Sequence, residues 1–355
     1  MIKFRKELII SVFIGILFVC SCKSDSKSNA ESQAAAQALP EESQTGQTYA
    51  VTLDGKRLLE LPEPDSIKER NKKNLDDSRM FYLGHLTEVK SFIAYGYQCI
   101  ESGLVENAIQ VLSKGIEQFQ NTADLYLYRG IASVQGRQFA SAVNDFWKAG
   151  KAVEGQKDIK GLLEKSETDK KINASLHYEI YKWMGLAFQC QGDFSNAEKM
   201  YEVCGDFSNN SDLYCMAYYW QYQSYMRANR QKDAEGILTT IEPKMFITPV
   251  TKPYLDALLY YKGSIKEVDL VNLEEKPKSS AEARDWSIKA YAIAVKAIID
   301  NKQARQIQVL EKILESPFWN QMPYIAAEAD YHAVKGFKYQ EMQTKEINSN
   351  SKKSK

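Results

Sequence analysis

Histidine is scarce in this sequence, and the motifs of the common enzyme classes are missing from it. The three histidines, His85, His177 and His332, stand in no metal-binding or catalytic-triad spacing. The chain carries no His-Glu-x-x-His pair, no nucleophile elbow, no Walker loop and no dinucleotide-binding glycine fingerprint. Its carboxylates are scattered among lysines and arginines, as on solvated helix faces. The sequence therefore predicts no enzyme, no metal site and no cofactor.

An excess of charge of either sign is also missing. The 355 residues include 46 Lys and Arg and 46 Asp and Glu, so the formal net charge is zero. Binding to the phosphate backbone of a nucleic acid requires a basic surface. The charge balance therefore argues against a nucleic-acid partner. A hydrophobic content of 44% is ordinary for a globular chain that builds a large core.

The apolar run near the N-terminus is too short to span a bilayer as a helix. Residues 8–19 are uncharged and follow a basic start, which is typical of a signal peptide. The sequence Val-Cys-Ser-Cys at positions 19–22 then resembles the lipobox of bacterial lipoproteins. The resemblance implies a signal peptide over 1–21 and a lipid on Cys22, with Cys20 as the competing acceptor. A plain secretory signal or a short anchor helix is the alternative.

Polar segments flank the body of the chain. Residues 22–64 are rich in Ser, Gln and Ala, end at Pro62 and Pro64, and cannot build a core, which predicts a flexible tether. Within it, Tyr49–Leu61 is predicted as a brief hairpin around Asp54 and Gly55, a docked extended strand or plain linker. The lysine-rich end, 343–355, is predicted to be a disordered tail.

A helical hairpin recurs with a period of 34 residues, which is typical of a stacked repeat. Small residues 12 apart mark three copies: Gly96 and Ala108, Gly130 and Ala142, and Gly185 and Ala197. Large residues follow four positions after each alanine: Leu112, Phe146 and Tyr201. A small residue where two helices cross lets their axes approach, and the large residue fills the groove. We predict that Gly103, Gly136 and Gly192 end the first helices and permit tight turns.

The pattern resembles that of tetratricopeptide (TPR) repeats, most clearly over Tyr181–Tyr201 and more broadly over residues 89–243. The resemblance implies an all-α fold, a right-handed solenoid of antiparallel helix hairpins with N- and C-terminal capping helices, over 65–342. The predicted repeats are 89–122, 123–156, 178–211, 212–243 and a degenerate 281–316. Helices are also expected over 65–73, from Asp76 or Asp77 to Ser102, over 158–165 and over 323–342.

The TPR resemblance also implies a ligand along the concave stripe of the first helices. The stripe would carry these aromatic and basic side chains: Tyr97, Tyr128, Lys182, Trp183, Tyr219, Trp220 and Arg227. Tyr and Trp are enriched in binding hot spots, and Lys182 and Arg227 could hold a peptide carboxylate. The alternative is that adjacent first helices simply pack these aromatic rings together.

Two cysteines flank one predicted turn at nearly equal distance. Antiparallel helices would bring Cys204 and Cys215 together, and an exported protein lies in an oxidising compartment. The sequence therefore allows a disulfide between them, provided that the distance between the helices permits it.

Together these features predict a lipid-anchored scaffold or adaptor that binds a protein or peptide partner in the bacterial cell envelope. The outer membrane is favoured over the inner one, with a periplasmic or surface-exposed body. The alternative is a transport accessory or solute-binding lipoprotein that holds a small hydrophobic ligand. An enclosed cavity, in place of an open groove, would favour that alternative.

Overall fold

The computed structural model describes residues 49–157, 159–163 and 167–337. The predicted signal peptide 1–21, the predicted lipid acceptor Cys22, the tether up to residue 48 and the tail 343–355 lie outside these residues. Within the described ranges, no helix is both long enough and apolar enough to cross a membrane.

The described residues form one short β hairpin and fifteen helices, and the predicted all-α, TPR-like solenoid is confirmed. The strands are β1 Ala50–Val51 and β2 Arg57–Leu58. The helices are α1 Asp65–Gly84, α2 Val89–Glu101, α3 Val105–Gln118, α4 Ala123–Gln135, α5 Phe139–Ala152, α6 Glu167–Ile172, α7 Leu176–Cys190, α8 Phe194–Asp206, α9 Ser211–Arg227, α10 Gln231–Thr239, α11 Lys252–Tyr261, α12 Glu267–Leu270, α13 Ser280–Ile299, α14 Gln303–Leu314 and α15 Met322–Val334.

Each predicted repeat corresponds to one antiparallel helix pair. The pairs are α2 with α3, α4 with α5, α7 with α8, α9 with α10 and α13 with α14. First helices also contact each other in order, from α2 through α4 and α7 to α9. Helices α11, α13 and α15 continue this inner layer. The helices of this inner layer therefore lie side by side, and each contributes a row of side chains to the concave face.

Close approach of the two helices in a pair depends on glycine. A methyl group added at Gly96 would lie 2.6 Å from Leu112 Cγ, and one added at Gly130 would lie 2.5 Å from Phe146 Cε1. At Gly185 the same group would lie 2.6 Å from Tyr201 Cε1. All three large residues are fully buried. The predicted pairing of small and large residues is therefore confirmed in all three repeats.

First helices end on a residue in the left-handed conformation, seven positions after the crossing residue. Gly103 and Gly192 have φ of 75°, as the sequence predicted. Helix α4 also ends where the sequence predicted, with Gly136 as its C-cap residue at φ of −81°, and the left-handed position is taken by the next residue, Arg137, with φ of 60°. The left-handed residue thus keeps the same position in all three repeats, and in the second repeat that position holds an arginine where glycine is the usual residue.

Helix bounds differ from the sequence predictions at both ends of the solenoid. In place of the two helices expected over 65–73 and 76–102, α1 runs unbroken to Gly84 and α2 starts at Val89. Residues 159–163 are not helical, and the insertion carries its helix at α6. Helix α15 ends at Val334, short of the predicted Met342.

Residues 49–64 belong to the folded body and not to a tether. The predicted hairpin around Gly55 forms, with Ala50 opposite Leu58 and Val51 opposite Arg57. Leu58 and Leu61 are buried, and the backbone carbonyl of Leu59 accepts a hydrogen bond from Trp319 Nε1 at 2.8 Å. These apolar side chains pack the segment against the solenoid, which its polar composition did not predict.

The C-terminal helix returns to the middle of the solenoid. Helix α15 contacts α7, and its Glu328 forms a buried ion pair with Arg137, 2.7 Å from Nη2 to Oε2. The other oxygen of Glu328 accepts a hydrogen bond from the backbone N–H of Leu53 at 2.6 Å. The end of α4, the N-terminal hairpin and α15 are therefore held together at one buried carboxylate.

Candidate functional site

The concave face of the inner layer borders a cavity of about 770 Å³. Side chains of α2, α4, α7, α9 and α11 form its wall, and the segment before α1, the start of α1 and the beginnings of α13 and α15 complete it. An extended concave surface is the usual binding surface of a helical solenoid. The cavity is therefore the candidate site.

Aromatic rings occupy one part of the wall. Tyr97 and Tyr128 meet edge to face, with ring centroids 5.6 Å apart. Trp183 lines the same cavity, and Lys182 Nζ lies 5.8 Å from the centroid of its ring. Four of the seven residues predicted for the partner groove thus line one cavity. Tyr254 joins them, and burial raises the pKa of its phenol from 10.0 to about 12.

Charged groups of both signs line the cavity, and their charges cancel. The acidic ones are Glu63, Glu101 and Glu179, and the basic ones are Arg70, Lys182 and Arg284. Lys182 is paired with Glu179, 2.6 Å from Nζ to Oε2. Glu63 accepts hydrogen bonds from the backbone N–H of Ser280 at 3.1 and 3.2 Å. Such a wall suits a ligand that carries both polar and apolar groups.

The other three predicted groove residues lie elsewhere. Tyr219 is fully buried, and its hydroxyl donates to the carbonyl of Ile288 in α13 at 2.8 Å. Trp220 is also buried, against Tyr201 and Tyr291. Helix α13 covers this part of α9, so these two rings are core, as the alternative interpretation of the stripe expected.

Arg227 is not available to a peptide carboxylate either. Its guanidinium is buried and makes two hydrogen bonds of 2.7 Å to the carboxylate of Asp330 in α15. Tyr291 donates to the same carboxylate at 2.6 Å. Arg227, which was predicted to bind a ligand, therefore has a structural role, because it joins α9 to α15.

Several residues that line the cavity could not be predicted from the sequence. Glu63 lies in the predicted tether, and Gln135, Arg284 and Met322 lie outside the stripe. A glutamate between two prolines was visible in the sequence, but nothing there indicated its partner at Ser280, more than 200 residues away. These residues come together only because both ends of the chain fold onto the solenoid.

The disulfide that the sequence allowed is absent. Cys204 and Cys215 are buried free thiols, as is Cys190. Cys204 Sγ lies 3.6 Å from the carbonyl oxygen of Tyr178 and is therefore directed at α7, while Cys215 lies in α9. Among the described residues no group of His, Cys, Asp and Glu side chains could hold a metal ion.

Comparison with known proteins gives weak structural similarities. No protein-family model matches the chain, and no curated protein does. A crystal structure of MamA is similar at 14% identity and a TM-score of 0.38, over 57% of this chain and 98% of that one. A structure of MamA MSR-1 is similar at 13% identity and a TM-score of 0.36, over 56% of this chain and 91% of that one. The P58(IPK) TPR domain is similar at 11% and 0.22, over 79% and 96%.

Proposed function

We propose that this chain is a non-enzymatic binding protein that takes a short segment of a partner protein into its concave cavity. The observation that carries the proposal is the 770 Å³ cavity, walled by successive first helices. Tyr97, Tyr128 and Trp183 offer rigid aromatic surface, which is how many protein-binding sites gain contact area at low entropic cost.

The polarity of the wall favours a peptide over a purely apolar ligand. Small-molecule sites are mostly apolar with a few polar groups, whereas this wall carries six charged side chains. A peptide segment presents backbone amides at every residue and side chains of either character. The polar groups of a peptide could therefore form hydrogen bonds with the charged side chains of the wall. A hydrocarbon ligand would remove those side chains from water without offering them a partner.

A small hydrophobic ligand is the second candidate. The volume of about 770 Å³ lies within the range of about 300–1,000 Å³ that is usual for small-molecule sites. Of the two candidates, this one would be favoured by copurification of a small molecule with the protein.

The test compares two tryptophan variants in a cross-linking pull-down from intact cells. Trp183→Ala removes a ring from the cavity wall, and the matched control Trp147→Ala removes a ring from α5 that is 53% exposed. We expect the native chain and the control to capture one defined protein, and Trp183→Ala to lose at least about 90% of it, because truncating a hot-spot residue costs about 2 kcal/mol or more, which is more than tenfold in affinity. Equal capture by all three would place the partner surface outside the cavity.

We further propose that the protein is lipid-anchored through Cys22 in the bacterial cell envelope, which is supported by the lipobox-like sequence at 19–22. Metabolic labelling with an alkyne fatty acid should mark the native chain and the Cys20→Ser variant. The Cys22→Ser variant should lose the label and leave the membrane fraction. Label retained on Cys22→Ser and lost on Cys20→Ser would make Cys20 the acceptor.

A further inference from the structure

One part of the cavity wall is an extended segment of the chain and not a helix. Residues 59–64, here named the strap, join the N-terminal hairpin to α1 and form neither helix nor strand. Pro62 and Pro64 favour extended backbone at the strap residues that precede them. Glu63, near the end of the strap, lines the cavity. The strap therefore lies where a bound peptide would lie, at the edge of the concave face.

Two polar contacts and one apolar side chain hold the strap in place. The Glu63 carboxylate accepts the N–H of Ser280, the first residue of α13, at 3.1 and 3.2 Å. A carboxylate is favoured at a helix start by the unpaired N–H groups and the helix dipole. The carbonyl of Leu59 accepts the indole N–H of Trp319 at 2.8 Å, and the Leu61 side chain is buried. A carboxylate, a backbone carbonyl and a leucine are groups that a peptide of another protein would also offer.

The strap has few buried contacts of its own. A second cavity of about 270 Å³ lies against it, lined by Glu60, Leu61 and Glu63, so Glu63 borders both cavities. The side chain of Leu59 is 56% exposed, and Glu60 and both prolines are exposed as well. Segments with few buried apolar contacts open locally, at a lower free energy than the whole fold. The strap is thus suited to leave its place while the solenoid stays folded.

The helix start that the strap caps is satisfied only in part. The backbone N–H of Ser280 is bonded to Glu63, but its buried hydroxyl has no hydrogen-bond partner among the described residues. Leaving a buried hydroxyl unpaired costs free energy. A segment that satisfied both groups of Ser280 would therefore bind this position better than the strap does.

We propose that the strap is an autoinhibitory segment, which the partner displaces from the start of α13. The partner that fits is an extended acidic segment with a leucine two positions before a carboxylate, because it would take over the contacts of Leu61 and Glu63. While the strap is docked, only a fraction of the protein is competent to bind, and the apparent affinity is lowered by that fraction. The inference deepens the proposed function and rests on it.

The strap itself supplies the probe. A fluorescein-labelled peptide with the sequence of residues 57–66 carries all the strap contacts, and fluorescence anisotropy follows its binding to the full-length protein. In the released variant, Leu61→Ala/Glu63→Ala, the strap loses its buried leucine and its carboxylate. The matched control, Leu59→Ala/Glu60→Ala, makes the same substitutions at exposed side chains and keeps both contacts.

We expect the peptide to bind the released variant at least about tenfold more tightly than it binds the native chain or the control. A hydrogen bond to a charged group is worth roughly that factor, and only the released variant leaves this contact to the peptide. The peptide that carries Glu63→Ala should bind all three proteins equally weakly. Equal binding of the native peptide to all three proteins would overturn the inference, as would no binding to a released variant with native circular dichroism.

Hydrogen exchange in the native chain tests the strap without any variant. Trp319 and Trp220 are both buried, at 2% and 1% exposure, but only the Trp319 indole N–H is bonded to the strap. If the strap opens locally, that hydrogen should exchange with solvent at least about tenfold faster than the indole hydrogen of Trp220 in the core. The two signals are followed by NMR, and equal exchange rates would show that the strap opens only with the whole fold.

The pull-down distinguishes failure of this inference from failure of the proposed function. The peptide can fail to bind the released variant while the native chain still captures a partner that Trp183→Ala loses. In that case the cavity binds its partner without displacing the strap, and only the inference is rejected. If neither the native chain nor the released variant captures a protein, the proposed function is rejected, and the strap has no partner to inhibit.

Discussion

At the scale of residues, the solenoid depends on glycines that meet large side chains within one hairpin. Phe146 fills the space above Gly130 so closely that its ring atoms would lie 2.5–2.9 Å from an added methyl group. Glycine is a poor helix former, so its presence in α4 is explained by this contact and not by local helix stability.

Gly130→Ala should therefore destabilise the protein, by about 1–3 kcal/mol, because overpacking a tight core forces side chains and backbone to shift. Gly236→Ala, in the middle of α10 with no atom within 4 Å of the added methyl group, is the matched control. It should stabilise by about 0.5–1 kcal/mol through helix propensity. Urea unfolding measures both, and a stabilising Gly130→Ala would contradict the packing argument.

At the scale of elements, the end of α4 and the helix α15 are joined by the Arg137–Glu328 pair. The side chains are 3% and 2% exposed, so the pair is shielded from water, and Trp319 and Tyr324 lie 5.6 and 5.9 Å from the guanidinium. Arg137 also has positive φ, which glycine adopts without strain. Glycine would fit the backbone of this turn better than Arg137 does, and the arginine is explained by its ion pair with Glu328 in α15.

Glu328→Ala should destabilise the protein by about 3–5 kcal/mol, since it leaves a buried arginine without its counter-charge. The double variant Arg137→Gly/Glu328→Ala should cost less than the sum of the single variants, because the unpaired charge is gone and the turn gains a glycine. Free energies of unfolding from urea titration give the comparison. Costs that simply add would mean that the two side chains act independently.

At the scale of the whole molecule, buried thiol and phenol groups determine how the stability of the fold changes at alkaline pH. Burial raises the pKa of the Cys215 thiol from 9.0 to about 12, with nearby Asp212 adding to the shift. Burial likewise raises the pKa of the phenols of Tyr222, Tyr254 and Tyr324 from 10.0 to about 12. In the unfolded chain all four groups ionise at lower pH than in the folded one.

The stability contributed by these groups is therefore fully present below pH 9 and is lost as the pH rises toward 12. Each group lowers the free energy of unfolding by about 1.4 kcal/mol per pH unit between its two pKa values. The melting temperature should be steady from pH 7 to 8.5 and fall steeply from pH 9.5 to 11. Tyr222→Phe should reduce the slope, and a melting temperature that is constant up to pH 11 would contradict this account.

The sequence by itself determined the repeat and hence the fold class. Gly96 and Leu112, Gly130 and Phe146, and Gly185 and Tyr201 are each 16 residues apart, so each contact forms within one hairpin. An interaction of such short range leaves a periodic trace in the chain. For the same reason the ends of the first helices near Gly103, Gly136 and Gly192 could be predicted from the sequence, although the left-handed residue of the second turn is Arg137.

Only the tertiary structure decided which part of the predicted stripe faces a cavity. Tyr97, Tyr128, Lys182 and Trp183 line that cavity. Tyr219, Trp220 and Arg227 belong to the same helical stripe but are covered by α13 and α15, whose contacting residues lie 69–103 positions further along the chain. Contacts between residues so far apart produce no periodic pattern in a sequence, because they depend on the path of the whole solenoid and on where its last helix packs.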